Sequence, residues 1–210
     1  MAKHFSESEK QRIKNRILDD GKELFEKYGV KKTSIDKLVE KVGIAKGTFY
    51  HFYTSREAMI YELILKVEME LHKEEMKNLN DLLEIYEFPE ALKHVVWKSL
   101  EKMEEDPLLK TLNDPQFINE IWNKLSEQEK NQGNDQDQIK VKEFIEAAEL
   151  RGYEVTVPPQ VFNSLLMSIF ILYINQHMIG EPWEETIELM ITSLFEKLFI
   201  KIKGEKPALK

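Results

Sequence analysis

Cysteine is absent from the 210 residues, which excludes disulfides, thiolate zinc sites, iron–sulfur clusters and cysteine nucleophiles together. Long apolar runs are lacking too. The longest, residues 165–174, has 10 residues and is broken by Ser168, whereas a membrane span needs roughly 20. The first 14 residues are polar and charged, with no apolar stretch of signal-peptide length, so the expected location is the cytoplasm. No Gly-x-Gly-x-x-Gly run or phosphate-binding loop occurs, and the five histidines (His4, His51, His72, His94, His177) show no His-Glu-x-x-His spacing. His72 with Glu74 and Glu75 reads as a solvated helix face. The acidic pairs Glu74/Glu75, Glu104/Glu105 and Glu184/Glu185 are neighbours only in sequence, and on a helix they diverge by about 100°, which does not suit general acid–base work. No metal, no cofactor and no catalytic constellation is expected, and the chain is not read as an enzyme.

What is present is a globular composition, 42% hydrophobic and 32% charged, long enough for one large domain or two small ones with a core that needs no staples. The net charge of −8 is unevenly spread: residues 1–60 carry 13 Lys+Arg against 9 Asp+Glu, leaving 17 against 29 in residues 61–210. A small basic head on an acidic body is the asymmetry expected when one end meets an anionic partner.

Nearly every periodic segment reads as helix. Ile13, Ile17, Leu18, Leu24, Phe25 and Tyr28 share one face of a first helix that Gly29 can end as a left-handed cap. Thr33 or Ser34 can cap a short second helix carrying Ile35, Leu38, Val39 and Val42 and stopped by Gly43. A third runs from about Ala45 to Tyr53, and a long fourth from Ser55 to about Leu79. Helices follow from Phe88 to Glu105 and from Pro115 through Leu125. Asn131–Gln138, wholly polar or glycine, reads as a mobile loop, followed by a helix over Ile139–Leu150. Tyr153–Val157 reads as an extended connector cut short by Pro158 and Pro159. Pro159–Met178 and Pro182–Lys203 are the closing helices. The fold class is all-α, with about nine or ten helices and a division into residues 1–54 and 55–210.

The informative stretch is TSIDKLVEKVGIAKGTFYHFYTSRE, Thr33–Glu57. Two short helices meet at a glycine-containing turn behind a packing helix, the arrangement of a helix-turn-helix. Leu38, Val39, Ile44 and Phe49 can lock the pair together. Thr33 and Ser34 start the first helix, Ala45 starts the second, and Lys46, Gly47, Thr48, Tyr50 and His51 stand on the second helix's outer side, where they can reach base edges and phosphates. Arg56, in the first turn of the fourth helix, supplies charge.

The run VGIAKGTFYHFYTSRE resembles the helix-turn-helix signature of TetR-type transcriptional regulators. Gly43, Ile44, Gly47, Thr48, Phe49, Tyr50, Ser55 and Glu57 match it, with Ser34 where threonine is common. Ala45 stands in place of serine, Tyr53 in place of a buried phenylalanine and Arg56 in place of lysine. The resemblance implies a homodimer that places one recognition helix per subunit in successive major grooves of a palindromic operator. It also implies dimerisation through the last two helices, to which Val161, Ser164, Leu165, Ser168, Ile187, Ile191, Leu194 and Leu198 would contribute. It further implies a body that binds a small-molecule effector, for which Trp97, Met103, Phe117, Trp122, Phe170, Tyr173 and His177 are the candidates and a hydrophobic ligand the best match. The expected function is a repressor released from DNA by that ligand. The alternatives are a DNA-binding dimer without a small-molecule switch, controlled by a protein partner or architectural, and a helical enzyme or carrier that keeps the head as a scaffold.

Overall fold

A computed structural model describes residues 6–202. The expectations that touch His4 and Lys203 lie outside them. Ten α-helices occur among the described residues: α1 (Glu7–Tyr28), α2 (Ile35–Val42), α3 (Lys46–Phe49), α4 (Arg56–Leu82), α5 (Phe88–Glu105), α6 (Pro115–Lys124), α7 (Glu127–Leu150), α8 (Pro159–Ile174), α9 (Gln176–Ile179) and α10 (Trp183–Leu198). Short 3-10 turns cover Val30–Lys32 and Leu109–Asn113, and two strands, β1 (Tyr153–Val155) and β2 (Phe199–Lys201), complete the chain. No helix among the described residues is long and apolar enough to cross a membrane.

The helix starts follow local chemistry. At α1 the Ser6 hydroxyl accepts the Glu9 N–H at 3.3 Å while the Glu9 carboxylate accepts the Ser6 N–H at 2.9 Å, a reciprocal capping box. Ser34, not Thr33, caps α2, accepting the Lys37 N–H at 3.3 Å. Gly29 does end α1 with a positive φ of 83°, but its ψ of 148° is extended rather than left-handed helical, which turns the chain straight into the Val30–Lys32 turn.

Four expectations are corrected. Residues 131–138 are not a loop but part of α7, which starts at Glu127 behind a second capping box between Ser126 and Glu129. Tyr153–Val155 is not a bare connector: it pairs antiparallel with β2 in the register Tyr153–Lys201, Glu154–Ile200 and Val155–Phe199. The last helix stops at Leu198 instead of running to Lys203, because Phe199 turns extended. That turn buries the Phe199 ring against Phe88, Phe162 and Phe195, with centroids 4.9–5.8 Å apart. The helix from Pro159 ends at Ile174, where the Asn175 amide donates back to the Ile171 carbonyl at 2.7 Å and a separate turn, α9, follows.

Packing divides the chain into two units, Met1–Val67 with Glu104–Lys130, and Glu68–Met103 with Asn131–Lys210. These units do not coincide with a division at residue 54, since the start of α4 and all of α6 pack with the N-terminal helices. In the first unit Ile17, Phe25, Leu38, Val42, Phe49 and Ile60 are fully buried. In the second, Leu92, Phe162, Ile191 and Phe195 lie in one apolar cluster with the inner face of β2.

Candidate nucleic-acid interface

The start of the interface is the turn between α2 and α3. Gly43 adopts φ 72°, ψ 40°, a left-handed conformation that costs glycine nothing. Its N–H and that of Ile44 both return to the Val39 carbonyl, at 2.9 and 3.0 Å, closing α2 and redirecting the chain. Leu38, Val39 and Val42 from α2 and Phe49 from α3 are buried, so the inner faces of both helices are committed to the core. The Phe49 ring also meets Tyr53 at 5.5 Å. Tyr53 is 4% exposed and so takes the buried position expected of the phenylalanine it replaces. Burial and the neighbouring Glu62 carboxylate push its phenol pKa up.

What remains outside is most of the candidate set. Ser34, Ala45, Lys46, Gly47, Tyr50 and His51 are exposed and Thr48 is half-buried. Tyr50 keeps half of its surface, its ring edge-on to Phe49 at 5.5 Å, so an apolar contact orients a ring that is half exposed. Lys46, the first residue of α3, lies 2.9 Å from the Asp36 carboxylate in the first turn of α2. That exposed pair links the start of α3 to the start of α2. Ala45 offers no side-chain cap, as its methyl dictates.

Two expected contacts are corrected. Thr33 is 2% exposed, and its hydroxyl donates to the carbonyl of Gly29 at 3.0 Å; it belongs to the core of the turn. Arg56 is also turned inward. Its Nε donates to the Thr33 carbonyl at 2.8 Å, its Nη2 to the Val30 carbonyl, and its Nη1 sits 3.6 Å from Glu57. Burial lowers its pKa, with Glu57 opposing. Both side chains therefore hold the Gly29–Thr33 turn in place beneath the exposed residues. The lysines around the Ser34 cap, Lys31, Lys32 and Lys37, are exposed and were not singled out in the sequence, although the run KKTSIDK carries the signal.

The candidates elsewhere separate. In the second unit Trp97 and Tyr173 come together, ring centroids 6.3 Å apart. Trp183, which sequence reasoning passed over, meets both, at 6.5 and 5.7 Å. The Trp97 indole N–H donates to Glu188 at 2.5 Å, and Lys93 lies 3.1 Å from the same carboxylate. Phe170 packs on the core nearby in that unit, Met103 is half-buried and His177 is exposed. Phe117 and Trp122 are in the first unit instead. Phe117 is buried with the Lys31 ammonium 5.7 Å from its ring centre, and Trp122 is 44% exposed under Lys130.

The set expected at a dimer interface also divides. Ile187, Ile191 and Leu198 are fully buried in their own subunit, so they cannot form an outer face. Leu165 and Leu194 are half-buried, whereas Val161, Ser164 and Ser168 are exposed. The exposed apolar residues of α8 and α10 also include Met167, Ile171, Leu189 and Met190.

Residues 17–63 match the model of the bacterial regulatory proteins of the tetR family. No curated protein matches the chain by sequence. Solved structures share its fold along nearly the whole length. A TetR-family transcriptional regulator from Pectobacterium atrosepticum superposes with a TM-score of 0.64 at 15% identity, covering 95% of this chain and 100% of that one. Thermus thermophilus FadR, a TetR family transcriptional repressor in complex with lauroyl-CoA, gives 0.58 at 18% identity over 93% and 99%. RolR in complex with resorcinol gives 0.59 at 11% identity over 92% and 95%. Residues 17–63 thus match the N-terminal domain of the tetR family of bacterial regulatory proteins, and the chain shares the helical fold of solved TetR-family transcriptional regulators.

Proposed function

We propose that the chain is a ligand-responsive transcriptional repressor that binds a palindromic operator as a homodimer in the cytoplasm. Residues 1–54 act as the DNA-binding head and 55–210 as the ligand-binding and dimerisation body. The observation that carries this reading is the head: α3 is locked by Phe49 while Lys46, Gly47, Tyr50 and His51 stay exposed beside the Ser34 cap. Such a helix offers side chains to base edges and phosphates without disturbing its own core. Dimerisation uses the exposed residues of α8 and α10, with Val161, Met167, Ile171, Leu189 and Met190 as the apolar contact and Ser164 and Ser168 allowing close approach. Trp97, Phe170 and Tyr173, joined by Trp183, are the favoured residues for a small hydrophobic effector. Binding in the body would release DNA by favouring a second arrangement of the dimer. Neighbours of the same fold were solved with lauroyl-CoA and resorcinol, which supports a body able to hold a small molecule.

The test is selection of random genomic fragments by the purified protein at two salt concentrations. The reading expects one enriched palindrome, retained less at higher salt. Absence of enrichment at low salt, with ligand-stripped protein refolded from denaturant, would refute it.

A further inference from the structure

The first unit contains an open groove of about 410 Å³ that the recognition helix does not use. Tyr28, Lys31 and Lys32, from the end of α1 and the turn after it, line one part. Lys110 and Asp114, from the segment before α6, line another. Lys31 pairs with Asp114. Among the described residues no ion pair holds Lys32 or Lys110, and both are exposed. The Tyr28 ring carries two more ammonium groups, Lys27 at 5.1 Å and Lys37 at 5.2 Å from its centre. Five lysines thus gather around one tyrosine and one carboxylate in a chain whose net charge is −8. Like charges held this close repel one another until an anion arrives.

The groove is linked to the DNA-reading face through two adjacent residues of α2. Lys37, on the Tyr28 ring, follows Asp36, whose carboxylate holds Lys46 at the start of α3. Lysine ammonium groups on flexible stems suit phosphates, which they meet as point charges without reading sequence.

We propose that this groove takes the DNA phosphate backbone flanking the site read by α3, with Lys32 and Lys110 as phosphate contacts. The assignment rests on the DNA-binding reading and extends it to a residue, Lys110, that lies outside the helix-turn-helix. The contacts add affinity and salt dependence without adding sequence preference.

The experiment uses the full chain and two fluorescein-labelled duplexes. One ends at the palindrome recovered by selection, and the other extends about 10 bp, one helical turn, beyond it on each side. Binding is followed by anisotropy over a range of salt concentrations. Lys32→Gln and Lys110→Gln should each lower the log–log salt slope on the extended duplex by about 1.8, one phosphate contact being lost in each of the two subunits, and leave the trimmed duplex unchanged. An unchanged slope on the extended duplex, or an equal loss on both duplexes, overturns the assignment. Tyr50→Ala separates the two levels. If it weakens both duplexes while the lysine variants behave as wild type, only the groove assignment falls. If it binds both as wild type, the reading beneath the assignment fails and takes the assignment with it.

Discussion

Arg56 reaches back from the first turn of α4 to the carbonyl of Thr33, 2.8 Å from its Nε. The same guanidinium also holds the Val30 carbonyl, so one side chain fastens the turn that precedes α2. A charged group at this position looks like a phosphate contact in the sequence, but its Nε and Nη2 already donate to backbone carbonyls and its Nη1 faces Glu57. Replacing Arg56 with Ala should therefore cost about 1.5–3 kcal/mol of stability, the range for hydrogen bonds to a charged group. Denaturant unfolding measures that loss. The salt slope of DNA binding by the folded variant should stay within error of wild type; a slope reduced by about two, one contact from each subunit, would return Arg56 to the phosphate backbone.

Tyr50 should behave in the opposite way. The residue is half exposed, and a tyrosine hydroxyl can donate to a phosphate. Tyr50→Phe removes a hydrogen bond to a charged acceptor, about 1.5–3 kcal/mol for each contact or at least roughly tenfold in affinity, with no change in unfolding midpoint. Anisotropy titration paired with thermal unfolding checks both halves of that expectation.

The second unit buries a charge pair whose removal should be visible against pH. Lys140 lies 3.4 Å from Glu68 and 2.7 Å from Asp137. Burial pushes the Glu68 carboxyl pKa up, with Lys140 pulling the other way and Asp137 and Glu75 adding to the rise. Burial draws Lys140 down, but Glu68 and Asp137 hold it above its ordinary value. Lys140→Met strands Glu68 and should cost about 2–3 kcal/mol at neutral pH, less than a fully buried pair would, because the two side chains keep 20% and 25% of their surface. A carboxyl whose folded pKa is raised takes up its proton in the folded state first, so folding is favoured as pH falls. The difference between variant and wild type should shrink from pH 7 toward about pH 4. A difference that is constant with pH would show that the loss is one of packing alone.

The two closing helices allow a contrast. Ile171→Glu changes a side chain that is 52% exposed, whereas Ile191→Glu changes one that is 0% exposed. Sedimentation equilibrium should find the first variant monomeric and folded, while circular dichroism should find the second unfolded or nearly so. A dimeric Ile171→Glu variant would place the subunit contact elsewhere.

Much of this molecule is legible in the sequence where the signals are local. Gly43, the Ser34 cap and the spacing of Leu38, Val39 and Val42 specify α2 and its turn within a few residues. The start of α7 was also written locally, as Ser126 followed three residues later by Glu129. The polar run after it hid the helix, because its buried face there is Gly133 and half-buried Gln136 and Asp137 instead of apolar residues. β2 could not be read, since its partner lies more than forty residues earlier and its cause is the burial of Phe199 among three rings. The phase of α10 was ambiguous for a different reason. The helix is apolar on two sides, and only the packed unit shows that Ile187 and Ile191 face inward while Leu189 and Met190 face out. Thr33 and Arg56 carry ordinary surface chemistry, and their burial depends on carbonyls that the fold alone brings within reach.

The most direct measurement is the stoichiometry and salt dependence of binding to the selected palindromic duplex. The account predicts two chains per duplex and an affinity that falls linearly with the logarithm of salt concentration. One chain per duplex, or an affinity indifferent to salt, would contradict it.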